Sequence, residues 1–301
     1  MGEPERINLG CNDGYPLAAS LYRAPSEKAA LVLAPALGVP QTFYARYANY
    51  LALHGISVLT FDYRGSGASA HGPARGRDIR MQDWGALDIE AALAWLLTEL
   101  KPDKLFFVGH SAGGQLFGLA PSSQHLRAAV LVGATAPYLR HYPRSSWPKL
   151  LSTWYLLAPL LSWHRDSFPA RQIGLGSTSV AAGVVAQWAH WARTPEYLFD
   201  DAHGIDTQRY AQLTLPILSH CFSDDELAPP PAVDALLKHF PAANIERQVH
   251  TVAADDSIGH FGYFRKGREH SYWQATVDWL YSQDNLKPQH HSKQITEPSN
   301  E

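Results

Sequence analysis

Residues 104–114, KLFFVGHSAGG, constrain this chain more than any other stretch. Leu105-Phe106-Phe107-Val108 has the length and apolarity of a buried strand, and it runs directly into Gly109-His110-Ser111-Ala112-Gly113, a G-x-S-x-G pattern. A reactive serine must project from a sharp turn between a strand and a helix, so that its hydroxyl stands at the carboxyl end of a sheet. Glycines two residues to either side leave room for that turn, where a Cβ would strike neighbouring backbone. Gln115 to Ala120 can continue as the helix whose free N–H groups face the site. A second serine, Ser69, sits in Gly67-Ala68-Ser69-Ala70-His71, where the second glycine is missing.

The flanking segments define the fold class. Ile7–Leu9 and Leu17–Tyr22 read as strands around the Asn12-Asp13-Gly14 turn. Ala29–Ala34, Leu105–Val108 and Ala128–Gly133 are continuous apolar runs, as expected of strands covered on both faces, and Ile56–Phe61 and Pro216–Phe222 read as further strands of the sheet. Between them lie helical patterns. One follows Thr42, a candidate cap, with Tyr44, Tyr47, Leu51 and Leu53 on its apolar face; another spans Met81 to Leu100, with Asp83 near its start. Ala232–Phe240 and Ser271–Tyr281 read as further helices and Asn244–Val252 as the last strand. This alternation predicts an α/β fold with a mostly parallel sheet between helical layers. Leu37, Arg64, Ser111 and Ala134 each follow a strand, so they should share the ligand-binding rim. Asp62-Tyr63-Arg64-Gly65-Ser66-Gly67 reads as a turn-rich loop braced by Asp62 and Arg64. A dinucleotide fingerprint there is excluded because His71-Gly72-Pro73 forbids the helix it needs.

Residues 137–205 break the alternation. They are rich in Trp and Tyr, with helical stretches at Leu150–Leu161 and Val180–Ala192 and no strand pattern. Residues 1–136 and 206–286 therefore form the expected core. The intervening segment is an inserted helical lid, with Trp188 facing the substrate, and 287–301 is expected to be a disordered tail carrying His290-His291. The net charge of −3 argues against a nucleic-acid partner. Two cysteines, Cys11 and Cys221, make no disulfide framework and fit a reducing compartment. Met1–Arg6 has no signal-peptide core, and Leu150–Leu161 is too short to span a bilayer, so a cytoplasmic protein is expected. HExxH, paired CxxC and GxxxxGK[ST] do not occur, and neither metal nor cofactor is expected.

A serine hydroxyl becomes a competent nucleophile when a histidine takes its proton and a carboxylate orients that histidine. The chain offers both in suitable loops. Ser223-Asp224-Asp225-Glu226 follows the Pro216 strand, and Gly259-His260-Phe261-Gly262 follows the Asn244 strand. His260 is the expected base and Asp225 the expected acid, with Asp224 the alternative. The oxyanion needs two backbone N–H groups. Ala112 should give one, and Ala36, or else Leu37, the other. Leu37, His110, Trp188 and Phe261 are the expected substrate contacts.

The segments APALGVPQTFY, FDYRGSGAS, GHSAGG, DDELAPP and GHFGYF resemble the α/β-hydrolase superfamily, in particular its serine-aminopeptidase-like and monoacylglycerol-lipase-like branch. The likeness runs from about Ile7 to Tyr281. In relatives the acid stands four residues before a proline, which Asp225 and Pro229 match. The departure is Ala34-Pro35, where many relatives carry His-Gly. The resemblance implies a serine hydrolase with Ser111, Asp225 and His260 as triad, while its substrate does not carry over; the aromatic lid points to a carboxylic ester with an apolar acyl or alcohol part. Amide or peptide hydrolysis, acyl transfer and cofactor-independent carbon–carbon chemistry are alternatives on the same scaffold, and a non-catalytic ligand-binding module is a remoter one. Neither natural substrate nor oligomeric state is legible.

Overall fold

The computed structural model describes residues 3–173, 176–253 and 255–283. The expected tail and its His290-His291 pair lie outside the described residues. The strands in chain order are β1 (Glu5–Gly10), β2 (Pro16–Tyr22), β3 (Ala29–Ala34), β4 (Ile56–Phe61), β5 (Leu105–His110), β6 (Ala128–Val132), β7 (Ser167–Phe168), β8 (Val180–Ala181), β9 (Pro216–Phe222) and β10 (Asn244–His250). Eight of them form one sheet in the order β1-β2-β4-β3-β5-β6-β9-β10, and β7 pairs with β8 as a separate antiparallel ribbon. The β1–β2 and β2–β4 pairings are antiparallel; every pairing from β4 to β10 is parallel.

The apolar runs form interior strands for the expected reason. All six residues of β3 are buried: Ala30, Val32 and Ala34 pack into one core and Ala29, Leu31 and Leu33 into the other. Two-sided burial follows from helices on both faces of a parallel sheet. A continuous helix covers 81–100, and Asp83 accepts the Arg80 N–H at its start, at 2.8 Å. The last helix covers 269–282.

Two local expectations fail. Thr42 lies inside a short 3-10 turn, Gln41–Tyr44, which has no side-chain cap, and Leu53 is 69% exposed at the end of the helix Ala45–Leu53. The apolar stripe of that helix runs through Tyr47, Ala48, Leu51 and Ala52, and Leu53, the next residue, rotates off it. The loop after β4 is braced as expected. Asp62 accepts N–H groups from Gln41 (2.8 Å) and Ala68 (3.0 Å), while Arg64 pairs with buried Asp88 (2.6 Å) and with Asp13 (2.7 Å). Burial raises the Asp88 pKa, to about 6, against the opposing pull of the Arg64 guanidinium. Ser69 is buried here, donating to the Asp62 carbonyl at 2.7 Å and accepting from the Ala18 N–H at 2.9 Å, a bracing role.

The segment between β6 and β9 is largely helical, with helices over 147–162 and Ala182–Trp191. The β7–β8 ribbon was not expected; Val180–Ala181 belongs to it rather than to the following helix. The segment docks on the sheet rim by backbone. Val180 bridges to Ser66, and the N–H groups of Ser177 and Thr178 donate to the Gly38 carbonyl at 2.7 and 3.0 Å. Among the described residues, no helix is long and apolar enough to cross a membrane.

Candidate active site

Ser111 occupies the turn between β5 and the helix Ala112–Leu116, with φ 49° and ψ −111°. A positive φ is unfavourable for a residue with a Cβ, and its retention at one serine is the local strain expected of a projecting nucleophile. The flanking glycines are required by close packing. A Cβ on Gly109 would stand 2.5 Å from the Gly114 nitrogen, and one on Gly113 would stand 2.3 Å from the Ala34 carbonyl oxygen. The Ser111 N–H donates to the Val132 carbonyl at 2.9 Å, which ties the turn to the end of β6.

Two loops from the far end of the sheet meet it. His260 Nδ1 lies 2.7 Å from Asp225 Oδ2, and the Asp225 side chain is 1% exposed. The second oxygen, Oδ1, accepts the N–H groups of Leu227 at 2.9 Å and Ala228 at 3.0 Å. Because the carboxylate only accepts, His260 carries its proton on Nδ1, which leaves Nε2 bare. The neighbouring Asp224 does a different job. Its Oδ2 accepts from Ser257 Oγ (2.9 Å), Ile258 N–H (2.8 Å) and Gly259 N–H (2.9 Å), fixing the loop that precedes His260. Burial alone would raise the Asp224 pKa, but the Ile258 and Gly259 amides and the Ser257 hydroxyl outweigh it and hold it below the usual carboxylate value.

Gly133, which the sequence offered only as a strand end, makes room for this pair. Its φ is +59°, and a Cβ there would come within 3.2 Å of His260 Cε1 and 3.3 Å of Asp225 Oδ2.

Ser111 and His260 line one cavity together. Among the described residues no hydrogen bond joins their side chains. The sheet side of the cavity carries Ala36, Leu37, Ala112, Gln115 and Thr135; Leu227 and Phe261 close one flank. The inserted segment supplies Tyr142, Leu150, Thr153, Trp154 and Trp188, with Lys149 as its one ammonium. Of the substrate contacts expected from sequence, the structure brings Leu37, Trp188 and Phe261 to the cavity.

His110 is a correction. It is fully buried behind the site, with Nδ1 2.8 Å from the Tyr44 hydroxyl and Nε2 2.8 Å from the His260 carbonyl, so neither nitrogen faces a ligand. Ala36 is a second correction as the first choice for the oxyanion. Its N–H donates to the Tyr44 hydroxyl at 2.9 Å. The Leu37 N–H has no acceptor among the described residues, and Ala112 opens its helix, so its N–H has none within the helix either. Gln115 and Thr135 were not singled out. They form part of the polar floor: the Tyr197 hydroxyl donates to Gln115 Oε1 at 2.9 Å, and Gln115 Nε2 reaches Thr135 Oγ1 at 3.5 Å. Residues this far apart in sequence leave no local signal of such a floor.

Residues 37–179 match the family model described as alpha/beta hydrolase fold. The chain has the α/β-hydrolase fold. Solved structures agree at low identity. A soluble variant of monoglyceride lipase from Saccharomyces cerevisiae, in complex with a substrate analogue, is 16% identical with a TM-score of 0.67, over 94% of this chain and 96% of that one. Est1E from Butyrivibrio proteoclasticus with ferulic acid bound is 16% identical with a TM-score of 0.62, over 93% and 100%. DcsB in complex with its substrate analogue is 15% identical with a TM-score of 0.66, over 93% and 99%. No curated protein matches the chain. In this chain Ser111 occupies the turn between β5 and the helix that follows it.

Proposed function

We propose that this α/β-hydrolase is a serine carboxylesterase of the monoacylglycerol-lipase-like branch, acting on small esters with an apolar acyl or alcohol part. The observation that carries the reading is the His260–Asp225 contact of 2.7 Å beside a cavity that also exposes Ser111. His260 Nε2 takes the Ser111 Oγ proton as Oγ attacks the ester carbonyl. The oxyanion is received by the Leu37 and Ala112 N–H groups. Collapse expels the alcohol, which leaves with the proton from His260. A water then gives a proton to His260 and attacks the acyl-enzyme, releasing the acid and returning the proton to Ser111. Asp225 holds the imidazole tautomer and stabilises the charged ring. Residues 137–205 act as the lid over a core made of 1–136 and 206–286, and the rings of Trp154 and Trp188, 6.3 Å apart, favour an apolar group. The buried free thiols Cys11 and Cys221 suit a cytoplasmic setting.

A series of p-nitrophenyl esters of graded acyl length tests this. The expected result is turnover that depends on chain length and is lost in Ser111→Ala. Equal turnover by Ser111→Ala, or none by the wild type on any ester, counts against it.

A further inference from the structure

Two of the corrections above concern one feature. Ala36 lies on the loop after β3, Tyr44 ends the turn Gln41–Tyr44, His110 ends β5, and His260 sits on the loop after β10. They are joined in that order. The Ala36 N–H donates to Tyr44 Oη at 2.9 Å, Tyr44 Oη lies 2.8 Å from His110 Nδ1, and His110 Nε2 lies 2.8 Å from the His260 carbonyl.

The proton positions follow from the ends. A carbonyl oxygen only accepts, so His110 Nε2 bears a hydrogen. A neutral imidazole then has a bare Nδ1, so the Tyr44 hydroxyl donates to it and accepts from Ala36. Tyr44 and His110 each accept one bond and donate one, with no direction in conflict. Burial, and then the neighbouring His260, press the His110 pKa well below its ordinary value, which keeps the ring neutral. Both side chains are fully buried, and the Phe264 ring lies 4.9 Å from each. Water cannot replace a bond lost there.

We propose that Tyr44 and His110 are positioning residues, a buried bridge that sets the oxyanion loop against the backbone of the catalytic base. The proposal rests on the serine-hydrolase reading and adds to it. By engaging the Ala36 amide, the bridge leaves the next amide, that of Leu37, to meet the oxyanion. By holding the His260 carbonyl, it sets the height of the imidazole, while Asp224 anchors the residues just before it. The loop of Ala36 and Leu37 is also held from its other side, where Ser177 and Thr178 donate to the Gly38 carbonyl. Neither bridge residue touches substrate. Their effect is on geometry that matters in the transition state, where misplacement by about 1 Å can cost roughly 100-fold.

Tyr44→Phe and His110→Gln, singly and together, test this by steady-state kinetics on the preferred ester. Each single variant is expected to lower kcat roughly 10- to 100-fold with KM within about twofold, since the cavity wall is unchanged. The double variant should cost little more than the worse single one, as for residues acting as a unit. A role confined to stability would lower the melting temperature and leave kcat of the folded enzyme intact, and that result overturns the proposal. Long-range 1H–15N correlation spectra of the wild type give a readout that needs neither variant. His110 should show a protonated Nε2 and a bare Nδ1 from about pH 5 to about pH 8; a ring that titrates, or the opposite tautomer, also overturns it. Absence of turnover in the wild type is a different result: it removes the hydrolase reading itself, whatever the tautomer.

Discussion

On the sheet side of the cavity both carboxylates are held by fixed partners. Asp225 accepts two amides and an imidazole, Asp224 accepts two amides and a hydroxyl, and Ser111 stands in a turn whose neighbours must be glycine. The insertion side is built from Trp154, Trp188, Tyr142 and Leu150, and its outer surface leaves Tyr155, Leu156, Leu160 and Trp163 more than half exposed. One wall is specified by directional bonds, the other by shape. The first should be intolerant of single-atom changes. The second should absorb larger ones and answer mainly in which substrate is preferred.

The largest expected effect is on the rigid wall. Asp225→Asn should lower kcat by roughly three to four orders of magnitude, because an amide at that place can donate and so favours the wrong histidine tautomer; circular dichroism should show an unchanged fold. Loss of less than tenfold would mean that Asp225 does not orient the base. Next comes packing. Gly113→Ala places a methyl 2.3 Å from the Ala34 carbonyl oxygen and should cost about 1–3 kcal/mol in urea unfolding. An unchanged midpoint would show that the elbow has more slack than its contacts suggest.

Trp188→Ala removes far more atoms from the other wall. It is expected to raise KM about tenfold for the best ester while kcat stays within a few fold, shifting preference towards bulkier acyl groups. A collapse of kcat would erase the distinction between the two walls. The smallest effect is that of Asp224→Asn, about 1 kcal/mol of stability with modest loss of activity. Its pH dependence has a definite sign. The folded-state pKa is depressed, so the charged carboxylate stabilises fully above the unfolded value of about 3.9 and this is lost as pH falls below it. In acid titration the variant and the parent should therefore converge.

What could be read in the sequence follows the same division. The interior strands and Ser111 were legible because a six-residue apolar run and a glycine-flanked turn are local patterns. The meeting of His260 with Asp225 was legible from the place of each in a loop after a strand. The engagement of the Ala36 amide was not, because the phenol that turns back onto it, Tyr44, lies eight residues on. The direction of His110 was equally hidden, since adjacent residues at a strand end face opposite sides and only Ser111 announces its side. The ribbon of Ser167–Phe168 with Val180–Ala181 has two residues per strand, too few to show alternation. The cavity floor of Gln115 and Thr135 depends on Tyr197, far along the chain, and carries no short-range signature.

The most direct measurement is mass spectrometry of the folded protein after brief exposure to a fluorophosphonate. The account predicts one adduct, on Ser111, formed at a rate that collapses in Asp225→Asn and His260→Ala. An unlabelled Ser111, or labelling that proceeds equally without His260, would contradict it.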